Sequence, residues 1–207
     1  VYDKYLHPDL PYMLRRPPHT LFTVAVAMLM GRLETDPDWL QIYADTPANQ
    51  VQSLTDKLRN QLRGELLIMA RWVPVMSHFE RSLYDDPEQD LNTLWWDLVE
   101  RFQMVPRPEG RNAPDWASKI HLGTAPVYYH NYLMGELIAS QFRHYVDTHV
   151  LGENGDVGQR FVTEPAVGQY MVEKIFQPGA SRHWQDALEF ATGERLRPQY
   201  FVDQVSS

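Results

Sequence analysis

Cysteine is absent from this chain, which excludes disulfides and thiolate metal sites. That absence suits a reducing cytoplasm and is equally compatible with a periplasm. Long apolar runs are missing too. The longest, Phe22 to Met30, falls well short of the roughly 20 residues a membrane-spanning helix needs, so no membrane span is expected. No basic-then-apolar leader opens the chain. Positive charge is scarce: 19 Lys and Arg stand against 27 Asp and Glu, a net charge of −8. A nucleic-acid-binding surface is therefore not expected. Several motifs are missing as well. There is no H-E-x-x-H, no C-x-x-C and no D-x-D-x-D-G, so no self-sufficient metal site is expected. No G-x-S-x-G elbow or phosphate-cradling glycine loop occurs either. Internal repeats and low-complexity tracts are absent, and hardly any segment alternates with period two.

What is present fits a soluble globular protein. The 207 residues are 43% hydrophobic and 22% charged, with six Trp, eleven Tyr and eight Phe to fill a core. This length suits one large domain or a piece of a bigger one. The chain opens on Val1-Tyr-Asp-Lys-Tyr5 without an initiator Met, as if cut from something longer.

Helical signals dominate, and the expected fold is all-α, in a single helical domain over 1–207. Pro8, Pro11, Pro17 and Pro18 keep the first eighteen residues irregular. A helix is expected from about Thr20 to Leu33. Asp36-Pro37 starts a short one, with Asp as N-cap. Thr46-Pro47 opens a long helix whose apolar residues Val51, Leu54, Leu58, Leu62, Leu66 and Met69 recur at three- and four-residue steps. Pro74 is expected to kink or split it. Asp86-Pro87 is expected to cap the next helix, which carries Leu91, Leu94, Trp95, Leu98 and Phe102. Residues 106–114 read as a Pro/Gly/Arg-rich loop, and 105–125 leaves room for a short hairpin. A strong helix follows from about Pro126 to His149, then a turn at Gly152 to Asp156. Helices are expected near Thr163–Phe176, Arg182–Thr192 and Arg197–Gln204, with Gly193 as a C-cap.

The densest chemistry lies in Lys119-Ile-His121 and the following Pro126-Val-Tyr-Tyr-His-Asn-Tyr132. Short spacing of polar residues is common in loops, so Lys119 and His121 have a bland reading as a free cation and a backbone-bonded imidazole. The functional reading is a clamp. Lys119 would hold a carboxylate as a point charge, and His121 would donate to an oxyanion or carbonyl. Tyr128, Tyr129 and Tyr132 are core aromatics on one reading. On the other they are phenols at a helix start that donate into a cleft. The remaining histidines show no matching metal spacing: His144 and His149 are five apart, His78 and His183 lack a paired acid, and His19 reads as a helix entry. Glu136, one turn past Tyr132, reads as a packing or surface residue before it reads as an orienting one.

Three blocks together resemble the C-terminal portion of the angiotensin-converting-enzyme-like zinc peptidyl-dipeptidases, especially their microbial relatives. The first is Val1-Tyr-Asp-Lys-Tyr5 through Leu14-Arg15-Arg16, then His19-Thr20 and Ala25-Val-Ala-Met28. The second is Trp95-Trp96, then Lys119-Ile-His121, Ala125 through Glu136, and Ser140-Gln141. The third is Gly179-Ala-Ser-Arg182, Trp184, Ala187-Leu-Glu189 and Ala191-Thr-Gly-Glu194. The likeness covers essentially the whole chain in order, and its middle block is the most specific.

The resemblance implies a helical, zincin-type metallopeptidase subdomain, the C-terminal part of a larger catalytic domain. In such enzymes one zinc is held by an H-E-x-x-H helix and a Glu on a following helix. The zinc motif would lie just before Val1. The third ligand would fall near Thr23-Val24, where Val24 cannot ligate. No cofactor is therefore expected in this chain, and zinc only in a full-length parent. The resemblance gives His121 and Tyr132 the stabilisation of the tetrahedral intermediate, and Lys119 and Tyr129 the grip on a peptide's terminal carboxylate. Asn131 stands where a chloride-binding Arg is expected. The implied function is that of a peptidase portion not active alone, acting on oligopeptides with a free C-terminal carboxylate. The alternative is a non-catalytic, peptide- or partner-binding pseudo-peptidase. The first helix, around Phe22, Val24, Val26 and Leu29, is expected to expose an apolar face that would recruit a second copy or a missing N-terminal half.

Overall fold

The computed structural model describes residues 2–152 and 161–206. Among them every regular element is helical and no strand occurs, so the all-α expectation holds and the hairpin in 105–125 does not form. That stretch is instead an irregular loop, a 3₁₀ turn at Asp115–Ser118 and a short helix. The α-helices are α1 (Tyr2–Tyr5), α2 (Thr20–Gly31), α3 (Pro37–Ile42), α4 (Ala48–Asp85), α5 (Leu91–Gln103), α6 (Ile120–Thr124), α7 (His130–Tyr145), α8 (Pro165–Tyr170), α9 (Trp184–Thr192) and α10 (Gln199–Ser206). The chain forms two compact units, residues 1–63 with 134–207, and residues 64–133.

The larger unit has a core built on α2 and α7. Leu21, Phe22, Ala25, Val26 and Leu29 are buried on α2, and Ile138, Ala139 and Phe142 on α7. The rings of Phe22 and Phe142 meet edge to face at 5.8 Å, a favoured aromatic geometry. Phe22 and Leu29 are each 1% exposed and Val26 8%. The expected open apolar face on this helix is thus filled from within the unit. Val24 is half-buried against Gly135 of α7, where a Cβ would lie 2.6 Å from Val24 Cγ1.

Caps set several boundaries. His19 Nδ1 accepts from Leu21 N at 3.1 Å at the start of α2. Asp36 accepts from Asp38 N and Trp39 N at the start of α3. Gly193, at φ +78°, closes α9 by donating from its N–H to Glu189 O, the left-handed stop that glycine adopts without penalty. Helix α7 widens into a π-helical turn at Val146–Val150, and α8 does so at Met171–Phe176. The turn expected at 152–156 lies mostly outside the described residues.

Two polar groups brace this unit's interior. Gln141, 1% exposed, donates to Thr192 Oγ1 at 2.9 Å and accepts from Arg197 N at 3.0 Å. Arg32 pairs with Glu136, their side chains only 9% and 11% exposed, and also donates to Ser140 Oγ and Gln204 Oε1. Glu136 therefore orients an arginine, the reading that its sequence position favoured less.

Tyr2 and Tyr170 are buried as well, and burial pushes both phenols far above their usual range. The folded chain therefore holds these protons at a pH where the unfolded chain, titrating near 10, releases them. The stability they contribute is complete below about pH 10 and declines above it, by about 1.4 kcal/mol per pH unit for each tyrosine. Urea unfolding at pH 9 and pH 11 is expected to show this loss, and Tyr170→Phe should remove part of it. Equal stability at the two pH values would refute the coupling.

The smaller unit, residues 64–133, packs the C-terminal half of α4 against α5 and the segment leading to α7. Its centre is Val75, Met76, Phe79, Trp95 and Val99. Phe79 and Trp95 meet edge to face at 5.2 Å, as do Trp72 and Trp95 at 5.7 Å. Helix α4 runs unbroken through Pro74, so the expected split does not occur. Proline there removes one N–H from the ladder, and the apolar face on either side of it stays continuous. Helix α5 starts at Leu91 rather than at Asp86-Pro87. Asp90 is its cap, accepting from Thr93 N at 3.0 Å, whereas Asp86 turns the chain by accepting from Glu88 N. Helix α7 starts at His130, not Pro126, because Val127 sits in the left-handed region at φ +55°.

Candidate functional site

The four residues singled out in the sequence all lie in the smaller unit. Lys119 caps α6 in extended conformation, at φ −83° and ψ 100°, and His121 follows in the helix's first turn. The Lys-x-His segment is thus a helix start rather than an open loop. Tyr128 and Tyr129 precede α7 and only Tyr132 is on it, so their helical spacing is not what brings the rings together. A turn does so instead. His121 lies 5.9, 4.8 and 5.6 Å, centroid to centroid, from Tyr128, Tyr129 and Tyr132. Tyr132 in turn lies 5.4 Å from Tyr128 and 5.1 Å from Tyr129.

That turn is held from α4. Glu80, 7% exposed, accepts from Val127 N at 2.6 Å and from Tyr84 Oη at 2.9 Å. A β-branched residue at positive φ is strained, and a buried carboxylate bonded to its N–H is a strong reason for the strain to persist. Asn131, in the position where a chloride-binding Arg was expected, donates from its amide to Tyr128 O at 2.8 Å.

His121 Nε2 and Tyr132 Oη are 3.0 Å apart, a hydrogen bond whose proton sits on either atom according to the imidazole tautomer. Burial, then the neighbouring phenols of Tyr128 and Tyr129, raise the Tyr132 pKa above the usual tyrosine range. Tyr132 is thereby kept as a phenol, able to donate. With the proton on Nε2 the imidazole donates to Tyr132 Oη and leaves the phenol proton free; in the other tautomer the phenol proton is used within the pair.

Lys119 points elsewhere. Its Nζ lies 5.3 Å from the Trp72 ring centroid and 5.6 Å from that of Trp95, within cation–π range. Asp115 feels its charge but is already bonded to Arg111 and to the Trp96 indole N–H; the Arg111 guanidinium chiefly holds that carboxyl below its usual range. Lys119, Trp72, Trp95, Trp96 and Val99 line a concavity of about 590 Å³. His121 and the tyrosines lie outside this lining. The two sets meet at Trp72, which lies beneath Lys119 and donates from Nε1 to Tyr129 Oη at 2.8 Å. His121, Tyr129 and Tyr132 therefore come together, and Lys119 joins them through an indole.

The sequence reading did not single out Trp72 or Glu80. A Trp on an amphipathic helix reads as core, which Trp72 partly is. Glu80 carried no clear signal either, as one acid in the mixed stretch Met-Ser-His-Phe-Glu-Arg-Ser-Leu over 76–83.

Residues 9–199 match peptidase family M2, angiotensin-converting enzyme. The chain belongs to that family. A curated relative, the inactive angiotensin-converting enzyme-related protein of Caenorhabditis elegans, is 22% identical over 199 residues, covering 94% of this chain and 22% of the relative. The chain thus spans about a fifth of that protein's length. The crystal structure of BsuCP superposes with a TM-score of 0.67 at 15% identity, over 99% of this chain and 44% of that one, a likeness of fold.

The zinc that the family resemblance implies does not fit the residues present. The sequence has no H-E-x-x-H, Val24 packs on Gly135 where the third ligand is expected, and among the described residues no three His, Asp or Glu are grouped to hold a metal. Also among them, no helix is long and apolar enough to cross a membrane.

Proposed function

We propose that this chain provides the substrate-gripping side of a peptidyl-dipeptidase-type site and does not cleave peptides by itself. Lys119 and Tyr129 hold the C-terminal carboxylate of an oligopeptide, and His121 with Tyr132 donates to the carbonyl one residue further in. The observation that carries this reading is Lys119: a cation seated on two indole faces at a concavity, its charge open to a ligand carboxylate. With the proton on His121 Nε2, the His121–Tyr132 bond leaves the Tyr132 phenol as a donor that a peptide carbonyl would use. Zinc, in this reading, is not held by this chain, and no step here runs through it.

A second reading, a non-catalytic peptide- or partner-binding relative, draws on one observation: Val24 in the third-ligand position, packed rather than polar. The worm relative's description as inactive agrees with it.

The carboxylate grip is tested by calorimetric titration with alanyl-alanyl-phenylalanine and its C-terminal amide. The free acid is expected to bind at least tenfold more tightly. Lys119→Ala should remove most of that preference and leave the amide unchanged, since a charge-assisted bond contributes about 1.5–3 kcal/mol. Equal affinities of the wild-type chain for acid and amide would overturn the assignment. Peptide hydrolysis by the isolated chain with added zinc would overturn the claim that it does not cleave alone.

A further inference from the structure

An indole N–H can only donate. Trp72 Nε1 lies 2.8 Å from Tyr129 Oη, so the phenol oxygen must be the acceptor in that bond. Tyr129's own proton is not used there, and no described residue accepts it. The same ring carries Lys119 on its face, with Nζ at 5.3 Å from the centroid. A ring face attracts a cation without neutralising it, unlike a carboxylate partner. One side chain thus touches two groups and leaves both in their donating state.

We propose that Trp72 is a positioning residue for carboxylate binding. It fixes Tyr129 as a proton donor and seats Lys119 on its ring face, so that one carboxylate bound across the indole takes both. This rests on the reading of Lys119 and Tyr129 given above. The chemistry it selects for is a carboxylate with two acceptor oxygens, one for the ammonium and one for the phenol. A neutral carboxamide presents one acceptor oxygen and an NH₂ donor, and that NH₂ would face the Tyr129 proton. Trp72 therefore sharpens the preference for acid over amide beyond what Lys119 supplies.

The test uses Trp72→Phe, which keeps an aromatic face under Lys119 and removes the N–H. Affinity for alanyl-alanyl-phenylalanine is expected to fall about five- to tenfold, with the amide unchanged. Tyr129→Phe should give a similar acid-selective loss. The double variant should lose no more than the worse single one, because both changes remove the same bond. Simple loosening of the core would weaken acid and amide alike and would add to Tyr129→Phe. An undiminished acid preference in a folded Trp72→Phe chain would overturn the proposal. Should Trp72→Phe fail to fold, the wild-type indole N–H resonance of Trp72 gives the same answer. It should shift on adding the free acid but not the amide, and an unmoved resonance under saturating acid would overturn the role. If the wild-type chain does not distinguish acid from amide at all, the carboxylate reading itself fails. That outcome is separate from one in which the preference exists but does not pass through Trp72.

Discussion

Glu136→Ala is expected to destabilise the chain by about 3–5 kcal/mol, because it leaves a buried guanidinium without its counter-charge. Arg32 and Glu136 are 9% and 11% exposed at their side chains, and Ser140 and Gln204 satisfy only part of the arginine. Arg32 Nε already lacks a partner, so little remains to compensate. For a chain of this length each kcal/mol lowers Tm by about 2–4 °C, so the melting midpoint should fall by roughly 6–20 °C. Replacing the pair together, as Arg32→Met with Glu136→Leu, is expected to be close to neutral. Desolvating two charges costs about as much as their attraction returns, and apolar groups of similar volume avoid both terms. Thermal and urea unfolding of the three chains checks this. A single substitution that shifts stability by less than 1 kcal/mol would show that water reaches the pair.

Local signals in the sequence were legible where they act within one turn. Asp36-Pro37, His19 and Gly193 marked helix ends correctly, since a cap bonds to N–H or C=O groups two to four residues away. The same logic failed at Asp86-Pro87, because Asp90 stands closer to the apolar run and takes the cap. It failed again at Pro126, where a tertiary bond from Glu80, 47 residues earlier, holds Val127 in a conformation no helix contains. The apolar stripe of α2 was read as unpartnered, although α7, more than a hundred positions later, covers it. Lys119, His121, Tyr129 and Tyr132 could be named from the resemblance and from residue type. Their connection could not. It runs through an indole 57 residues from Tyr129, and an amphipathic pattern reports only that such a residue faces inward, not which atom it bonds.

The second large effect concerns Gly135. Its α-carbon faces Val24 so closely that an added Cβ would meet Val24 Cγ1 at 2.6 Å, Val24 Cβ at 3.2 Å and the backbone N of Ala25 at 3.3 Å. The first two contacts belong to a β-branched side chain with one favoured rotamer in a helix, and the third to backbone, so none can swing away. Helices α2 and α7 must then separate or tilt, disturbing Phe22 against Phe142. Gly135→Ala is expected to cost about 1–3 kcal/mol by overpacking, against the gain of roughly 1 kcal/mol that alanine otherwise brings to a helix interior. Val24→Ala removes the nearest atom, so Gly135→Ala with Val24→Ala should recover much of the loss even though Val24→Ala alone opens a small void. This coupling bears on the missing ligand. A longer side chain at position 24 would press on the same glycine, so Val24→Glu is expected to destabilise rather than to build a metal site. Chemical unfolding of the four chains of the cycle measures the interaction. Additive effects, or a Gly135→Ala chain more stable than the original, would show that the two helices do not touch at this point.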